Sequence, residues 1–285
     1  MKFKLFLVFI VLQLSLFAKE LPVVVPLQWL QDNINDPKVV IVDLREKKEY
    51  DKGHIKGAVN MPGMESLFKA DSWMMPDINF LKNLFSNAGI DKDSLVVAYD
   101  NGEFFWAARL CWILEVLGHK NVGLLKYAYG EQIKKTFPIS TKTPTITKKE
   151  FIPRVDDNQI ETKLSTLMAI GKKTIIDGRT KTHYEGKDSI AKRHGHIPTA
   201  KNYACTNNFQ VSPNGNYMKG FDDLEKLYKD IPKDKEIILY CQGGAESALN
   251  YIVLKKLGFK PSVYDGSWKE WGNDENVPID NPSKK

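Results

Sequence analysis

Cysteine is scarce in this sequence, and Cys111, Cys205 and Cys241 form neither a C-x-x-C pair nor, with the five histidines, a zinc-ligand pattern. No metal is therefore expected, and in an oxidising compartment a pair of these cysteines could close a disulfide. The odd count leaves at least one thiol unpaired. Clustered basic charge is missing as well. Lys plus Arg total 41 against 35 Asp plus Glu, a formal charge of +6, and no basic run is interleaved with aromatics. Nucleic acid is therefore not an expected partner. The doublets Lys134-Lys135, Lys148-Lys149 and Lys284-Lys285 read as solvent-facing charge. Long apolar stretches are confined to Leu5 to Phe17, broken by Gln13 and Ser15, preceded by Lys2 and Lys4 and followed by Ala18. That is the pattern of a signal peptide over residues 1–18, too short to span a bilayer comfortably, and no later segment approaches the roughly 20 apolar residues of a membrane helix. Cleavage after Ala18 would give a periplasmic or secreted protein with no stable membrane span. Leu16 is larger than the residue preferred before such a cut, so a retained amino-terminal anchor is the alternative.

What is present is a repeat. The 285 residues, 42% of them hydrophobic, are enough for about two domains of ordinary size. The segment from Val39 to Pro62 has a second version beginning at Thr174. Asp43 matches Asp177, Arg45 matches Arg179, Tyr50 matches Tyr184, and Gly53-His54-Ile55 matches Gly195-His196-Ile197 after an insertion. Further on, the run from Leu95 to Asp100 corresponds to that from Ile237 to Cys241, each followed by a helix-like stretch that ends in Leu-Gly at 117–118 and 257–258. The chain reads as two copies of one domain, residues 19–139 and 150–285, joined by a polar linker over 140–149 that contains Pro144. Continuous apolar runs alternating with helical stretches predict, in each copy, a mainly parallel sheet flanked by helices on both faces, an α/β fold.

The chemistry-bearing loop lies in the second copy. Tyr240 ends a buried-strand pattern, Cys241-Gln242-Gly243-Gly244-Ala245-Glu246 follows, and Ser247 to Leu254 continues as an amphipathic helix. A thiol is thus placed between the carboxyl end of a strand and the amino terminus of a helix, where open parallel sheets bind ligands and where free N–H groups favour anions. Two glycines let the backbone curl so that several amides point inward, a nest expected to depress the Cys241 pKa below about 8.5 and to hold a persulfide anion. Cys205, in an irregular segment, and Cys111, inside an apolar helix, read as structural.

With these motifs in hand, the chain after residue 18 resembles the rhodanese family. The likeness is carried by Asp43-Leu44-Arg45 and Asp177-Gly178-Arg179, the two Gly-His-Ile turns, the Cys241 loop, and the run from Tyr264 to Gly272, which is similar to that family's closing D-G-S-W-x-E-W signature. The resemblance implies two rhodanese-like domains, the second catalytic and the first inactive because Asp100 stands where Cys241 stands in the repeat. It implies sulfur transfer through a Cys241 persulfide, from a small anionic donor such as thiosulfate or 3-mercaptopyruvate to a thiol or cyanide, with a protein sulfur partner as a further expectation and no cofactor. The loop residues Gln242, Gly243, Gly244, Ala245, Glu246 and Ser247 would bind substrate, with Arg179 and Arg193 as cations. Glu246 departs from relatives that carry Arg or Thr there and would repel an anionic donor.

Asp43, Asp177, His54 and His196 read as structural groups that hold turns, and Trp268 and Trp271 as core or site wall. Phe104, Phe105 and Trp106 form a wall that could face the other domain. A phosphatase or arsenate reductase with a C-x5-R loop is disfavoured, because Ser247 stands where the clamping arginine would be. The competing reading is a sulfur carrier or protein-binding module without turnover.

Overall fold

The computed structural model describes residues 21–284, so the signal-peptide segment at residues 1–18 lies outside the described residues. In the first repeat the strands are β1 (Val24–Val25), β2 (Val39–Asp43), β3 (His54–Ile55), β4 (Val59–Asn60), β5 (Leu95–Tyr99), β6 (Val122–Leu125) and β7 (Ile139–Ser140). In the second they are β8 (Ile160–Glu161), β9 (Thr174–Asp177), β10 (Lys201–Asn202), β11 (Phe209–Gln210), β12 (Tyr217–Met218), β13 (Ile237–Tyr240) and β14 (Pro261–Tyr264). The main sheets run in the orders β1-β6-β5-β2-β4 and β8-β14-β13-β9-β10, with every neighbouring pair parallel. One order maps onto the other strand for strand, so the sequence repeat is a structural repeat. Residues 141–149 carry no helix or strand.

β5 and β13 are central because their apolar runs tolerate burial on both faces, and all of Ile237–Tyr240 is buried. Each copy is closed by the same polar module. Asp43 accepts from the backbone N–H of Arg45 (2.9 Å) and from its guanidinium (2.6 Å at Nη2), while Tyr99 Oη donates to the same carboxylate at 2.7 Å. Arg45 Nη2 also donates to Gly53 O at 2.8 Å, tying the strand end to the Gly-His-Ile turn. In the second copy Asp177, Arg179, Tyr240 and Gly195 repeat these bonds at 2.9, 2.6, 2.7 and 2.8 Å. His54 and His196 stack on Tyr50 and Tyr184 and bond the carbonyls of those tyrosines, which is the structural role expected of them.

The two repeats meet along the helices Phe105–Val116 and Ala245–Lys256. This corrects one expectation. The stretch from Ser247 to Leu254 is not an amphipathic surface helix but is buried throughout, because one side packs on its own sheet and the other on the partner repeat. Ionisable groups meet across this seam: Lys255 Nζ and Tyr251 Oη donate to Glu115 at 2.6 and 2.5 Å. Cys111 is fully buried in the same seam. Phe104 meets Phe209 of the second repeat at 5.5 Å between ring centroids, whereas Trp106 packs edge-on against Phe68 of its own repeat.

Removing one partner of a buried ion pair strands the other charge. Asp43→Ala is expected to lower unfolding free energy by about 3 to 5 kcal/mol in urea titration; a loss below about 1 kcal/mol would show that the module is not a structural tie.

Candidate active site

Cys241 follows β13 directly, and the chain then turns through Gly244, whose φ of +88° lies in the left-handed region where glycine is favoured, into the Ala245–Lys256 helix. A Cβ at Gly243 would lie 2.7 Å from the Trp73 ring, and one at Gly244 would lie 2.5 Å from Arg109 Nη1. Both glycines are therefore required by close approach of the first repeat. Donors converge on the sulfur. Gly244 N–H lies 3.0 Å and Ser247 Oγ 3.4 Å from Cys241 Sγ. From below, Cys241 N–H donates to Ser267 Oγ at 3.1 Å, and the N–H groups of Trp268 and Lys269 donate to the carbonyls of Cys241 and Gln242 at 2.9 Å each. The Tyr264–Gly272 run thus forms the floor under the loop.

The first repeat carries the same cradle already filled. At the strand-end position equivalent to Cys241, the Asp100 carboxylate accepts from the N–H groups of Gly102 (3.0 Å), Phe104 (3.1 Å) and Ala107 (3.2 Å). Burial raises the Asp100 pKa, and those three amides oppose the rise. This strand-to-helix junction holds an acceptor group through converging amides, and in the second repeat the acceptor is sulfur.

The electrostatics of the sulfur differ from the expectation. Burial, followed by the Glu246 carboxylate, pushes the Cys241 thiol up to about 11, and Ser247 and the loop amides only partly offset the rise. The nest does not make a resting thiolate, because Cys241 is completely buried and Glu246 sits beside it. Glu246 is itself raised, by burial first, and its Oε2 accepts from Gln242 N–H at 3.3 Å. It therefore occupies one of the amides that the loop offers to a ligand.

The expected cations are placed differently. Arg179 is fully buried, locked to Asp177 and stacked over Trp268 at 4.4 Å, with Nη1 unpartnered among the described residues. Arg193 is not at the sulfur: its guanidinium is taken up by the carbonyls of Val277 and Trp271, each at 2.8 Å, and of Asp274, so the carboxyl-terminal segment holds it as a latch. Lys187 pairs with Glu185 at 2.6 Å. Gln242 is half-buried with Oε1 unpartnered, and Ala245 and Ser247 sit on the first turn of the helix.

Residues from the first repeat complete the site, and sequence reasoning did not find them. Trp73, at φ +61°, lies over Gly243 with Lys269 Nζ 4.1 Å above its ring. Arg109 reaches Asp265 at 2.6 Å, and Asp265 also accepts from Met75 N–H at 2.7 Å. These contacts join residues more than a hundred positions apart, so no local pattern announces them. A lone arginine within an apolar helix was the one available signal.

An α/β domain with a cysteine in an amide cradle at the end of a central parallel strand, duplicated with one copy changed to aspartate, defines the class. The family profile of the Rhodanese-like domain matches residues 26–131 and 161–274. With both repeats covered, the chain belongs to the rhodanese-like family. It is 32% identical over 282 residues to the sulfur carrier protein TtuD of Thermus thermophilus, covering 90% of this chain and 96% of that protein. It is also 32% identical over 273 residues to the thiosulfate sulfurtransferase of Corynebacterium glutamicum, covering 90% of each. Among solved structures, the 3-mercaptopyruvate sulfotransferase SseA from Escherichia coli superposes with a TM-score of 0.76 at 26% identity, covering 87% of this chain and 99% of that one.

Because folding favours the protonated thiol, this contribution to stability is fully present below the ordinary thiol value near 9 and is lost as pH rises through about 11. Alkylation of Cys241 by iodoacetamide, followed by peptide mass spectrometry, is expected to accelerate about tenfold per pH unit between about pH 8 and 10. Glu246→Gln should shift that profile toward lower pH. An unchanged profile would show that the carboxylate does not face the sulfur electrostatically.

Proposed function

We propose that this sulfurtransferase works through a persulfide on Cys241, taking a sulfane sulfur from a thiosulfate-like or mercaptopyruvate-like donor and passing it to a thiol or cyanide. The reading is supported above all by the converging donors at Cys241 Sγ, matched by the Asp100 carboxylate that sits in the equivalent cradle of the first repeat. In the first step the deprotonated sulfur attacks the outer sulfur of the donor. The Cys241 S–S bond forms, the donor's S–S or C–S bond breaks, and the electron pair leaves as sulfite or as the enolate of pyruvate. In the second step the acceptor nucleophile attacks the outer sulfur, and the Cys241 thiolate departs.

The raised thiol pKa explains why the cradle matters more after loading than before. A persulfide is intrinsically a stronger acid than a thiol, and its terminal anion extends toward the same amides. Glu246 opposes a doubly charged donor at this mouth, while Arg179 is already neutralised by Asp177. This supports a preference for donors of lower charge, a persulfide or a protein partner included. A carrier role without turnover is supported by the likeness to a sulfur carrier protein and by the complete burial of the sulfur. We further propose export to the periplasm or beyond, on the strength of the apolar segment between Leu5 and Phe17 behind Lys2 and Lys4.

Incubation of the purified protein with thiosulfate or 3-mercaptopyruvate is expected to add one sulfur atom to the Cys241 peptide and none to Cys241→Ser. Release to cyanide or a thiol completes the enzyme reading; loading without release leaves the carrier, and no loading from any donor removes both. The intact mass reports cleavage after Ala18 in the same spectrum. Glu246→Arg should raise thiosulfate turnover about tenfold by replacing a repelling charge with an attracting one, and unchanged turnover would show that another feature limits the reaction. Cys111→Ser and Cys205→Ser should leave transfer nearly intact, whereas complete loss in Cys205→Ser would indicate a thiol relay.

A further inference from the structure

We infer that Arg109, a residue of the first repeat, is a positioning residue for the Cys241 loop, holding Gly244 so that its N–H stays directed at the sulfur. The inference rests on the sulfur-transfer reading for its catalytic consequence, but its geometry stands on its own. Arg109 is fully buried, with its guanidinium between the rings of Phe68 (4.5 Å) and Trp112 (4.6 Å). Its Nη1 is 2.6 Å from Asp265 Oδ1 and 3.4 Å from the carbonyl oxygen of Gly244. Nε and Nη2 have no partner among the described residues.

As a purely structural element this is a poor arrangement. A buried guanidinium with two idle nitrogens carries a desolvation cost that an apolar residue on the same helix would avoid. The matching position in the second repeat, Leu249, is apolar and equally buried. What Arg109 touches supplies the reason. Gly244 donates its own N–H to Cys241 Sγ at 3.0 Å, and its backbone at φ +88° has few steric constraints to hold it there. A trans peptide is planar, with its C=O and N–H pointing in opposite directions. Holding Gly244 O toward Arg109 therefore fixes the peptide on the carboxyl side of Gly244, which limits the rotation about Gly244 Cα that would carry its N–H away from the sulfur. The two aromatic faces restrict the guanidinium to one plane, and Asp265 is itself tied to Met75 N–H and stands at the head of the floor under the loop. The loop of the first repeat is pinned reciprocally, but by a neutral group: the Asn216 amide of the second repeat donates to Gly102 O at 2.8 Å. Charge is reserved for the loop that exchanges its ligand.

The test compares the wild-type chain with Arg109→Lys, which keeps a cation for Asp265 but loses the planar fork, and with Arg109→Met/Asp265→Asn, which removes both charges so that neither is stranded. The groups facing Cys241, namely Glu246, Ser247 and Cys205, and the Asp177–Arg179 pair that acts on Glu246, are unaltered in both. Circular dichroism and thermal melting establish that each variant is folded. The expected result is a Cys241 alkylation profile displaced to higher pH in both variants, with kcat for sulfur transfer reduced about tenfold and KM for the donor changed less. Folded variants whose alkylation profile and kcat both match the wild type would overturn the inference. Should the wild type itself fail to load sulfur, the functional reading falls while the alkylation profile still decides whether Arg109 sets the loop.

Discussion

The sulfur site depends on one backbone event, the reversal of the chain between Tyr240 and Ala245. A buried central strand that stops at Tyr240 delivers Cys241 to the carboxyl end of the sheet, and a left-handed Gly244 starts the next helix with its N–H aimed back at the sulfur. The floor from Tyr264 to Gly272 satisfies the carbonyls and the amide that this turn would otherwise leave unpaired inside the protein. Every other feature of the site either supports that turn or modifies the charge within it. The Asp177–Arg179–Tyr240 module fixes the end of the strand, the helix seam fixes the helix, and Glu246 sets the local potential.

Much of this was legible in the residues because it is local. Asp43 and Arg45, like Asp177 and Arg179, are two positions apart, and a carboxylate at a strand end facing a nearby guanidinium forms the same module wherever it occurs. The parallel order of the sheets followed from apolar runs alternating with helices, and the strand–loop–helix placement of Cys241 followed from Tyr240, the glycines and the helical stretch behind them. The readings that changed were those that depend on residues distant in the sequence, within the same repeat or across to the other. The helix beyond Ser247 has polar positions such as Asn250 that suggest a wet face, yet Asn250 bonds Asn208 and Tyr203 O inside the protein. Arg193 looked like a free cation because its carbonyl partners lie about eighty positions away. The sulfur's pKa went the opposite way because helix-terminal amides are counted from the sequence, whereas desolvation by a neighbouring repeat is not.

Duplication thus has a physical role beyond adding mass. A single copy would leave the Cys241 loop open on the side that Trp73 and Arg109 now cover, and the long buried helices would each expose a face to water. The first repeat carries Asp100 where the second carries Cys241, and it supplies the surfaces that shape the site of the second. This division is consistent with the presence of both repeats in relatives that match most of the chain.

Asp100 has an implication for how the two halves share motion. Its carboxylate is covalently part of the loop it fills, so that pocket can never be vacated and never experiences a change of occupant. Exchange of a loop-bound group is then confined to one side of a nearly symmetric molecule, and the other side keeps a fixed internal acceptor.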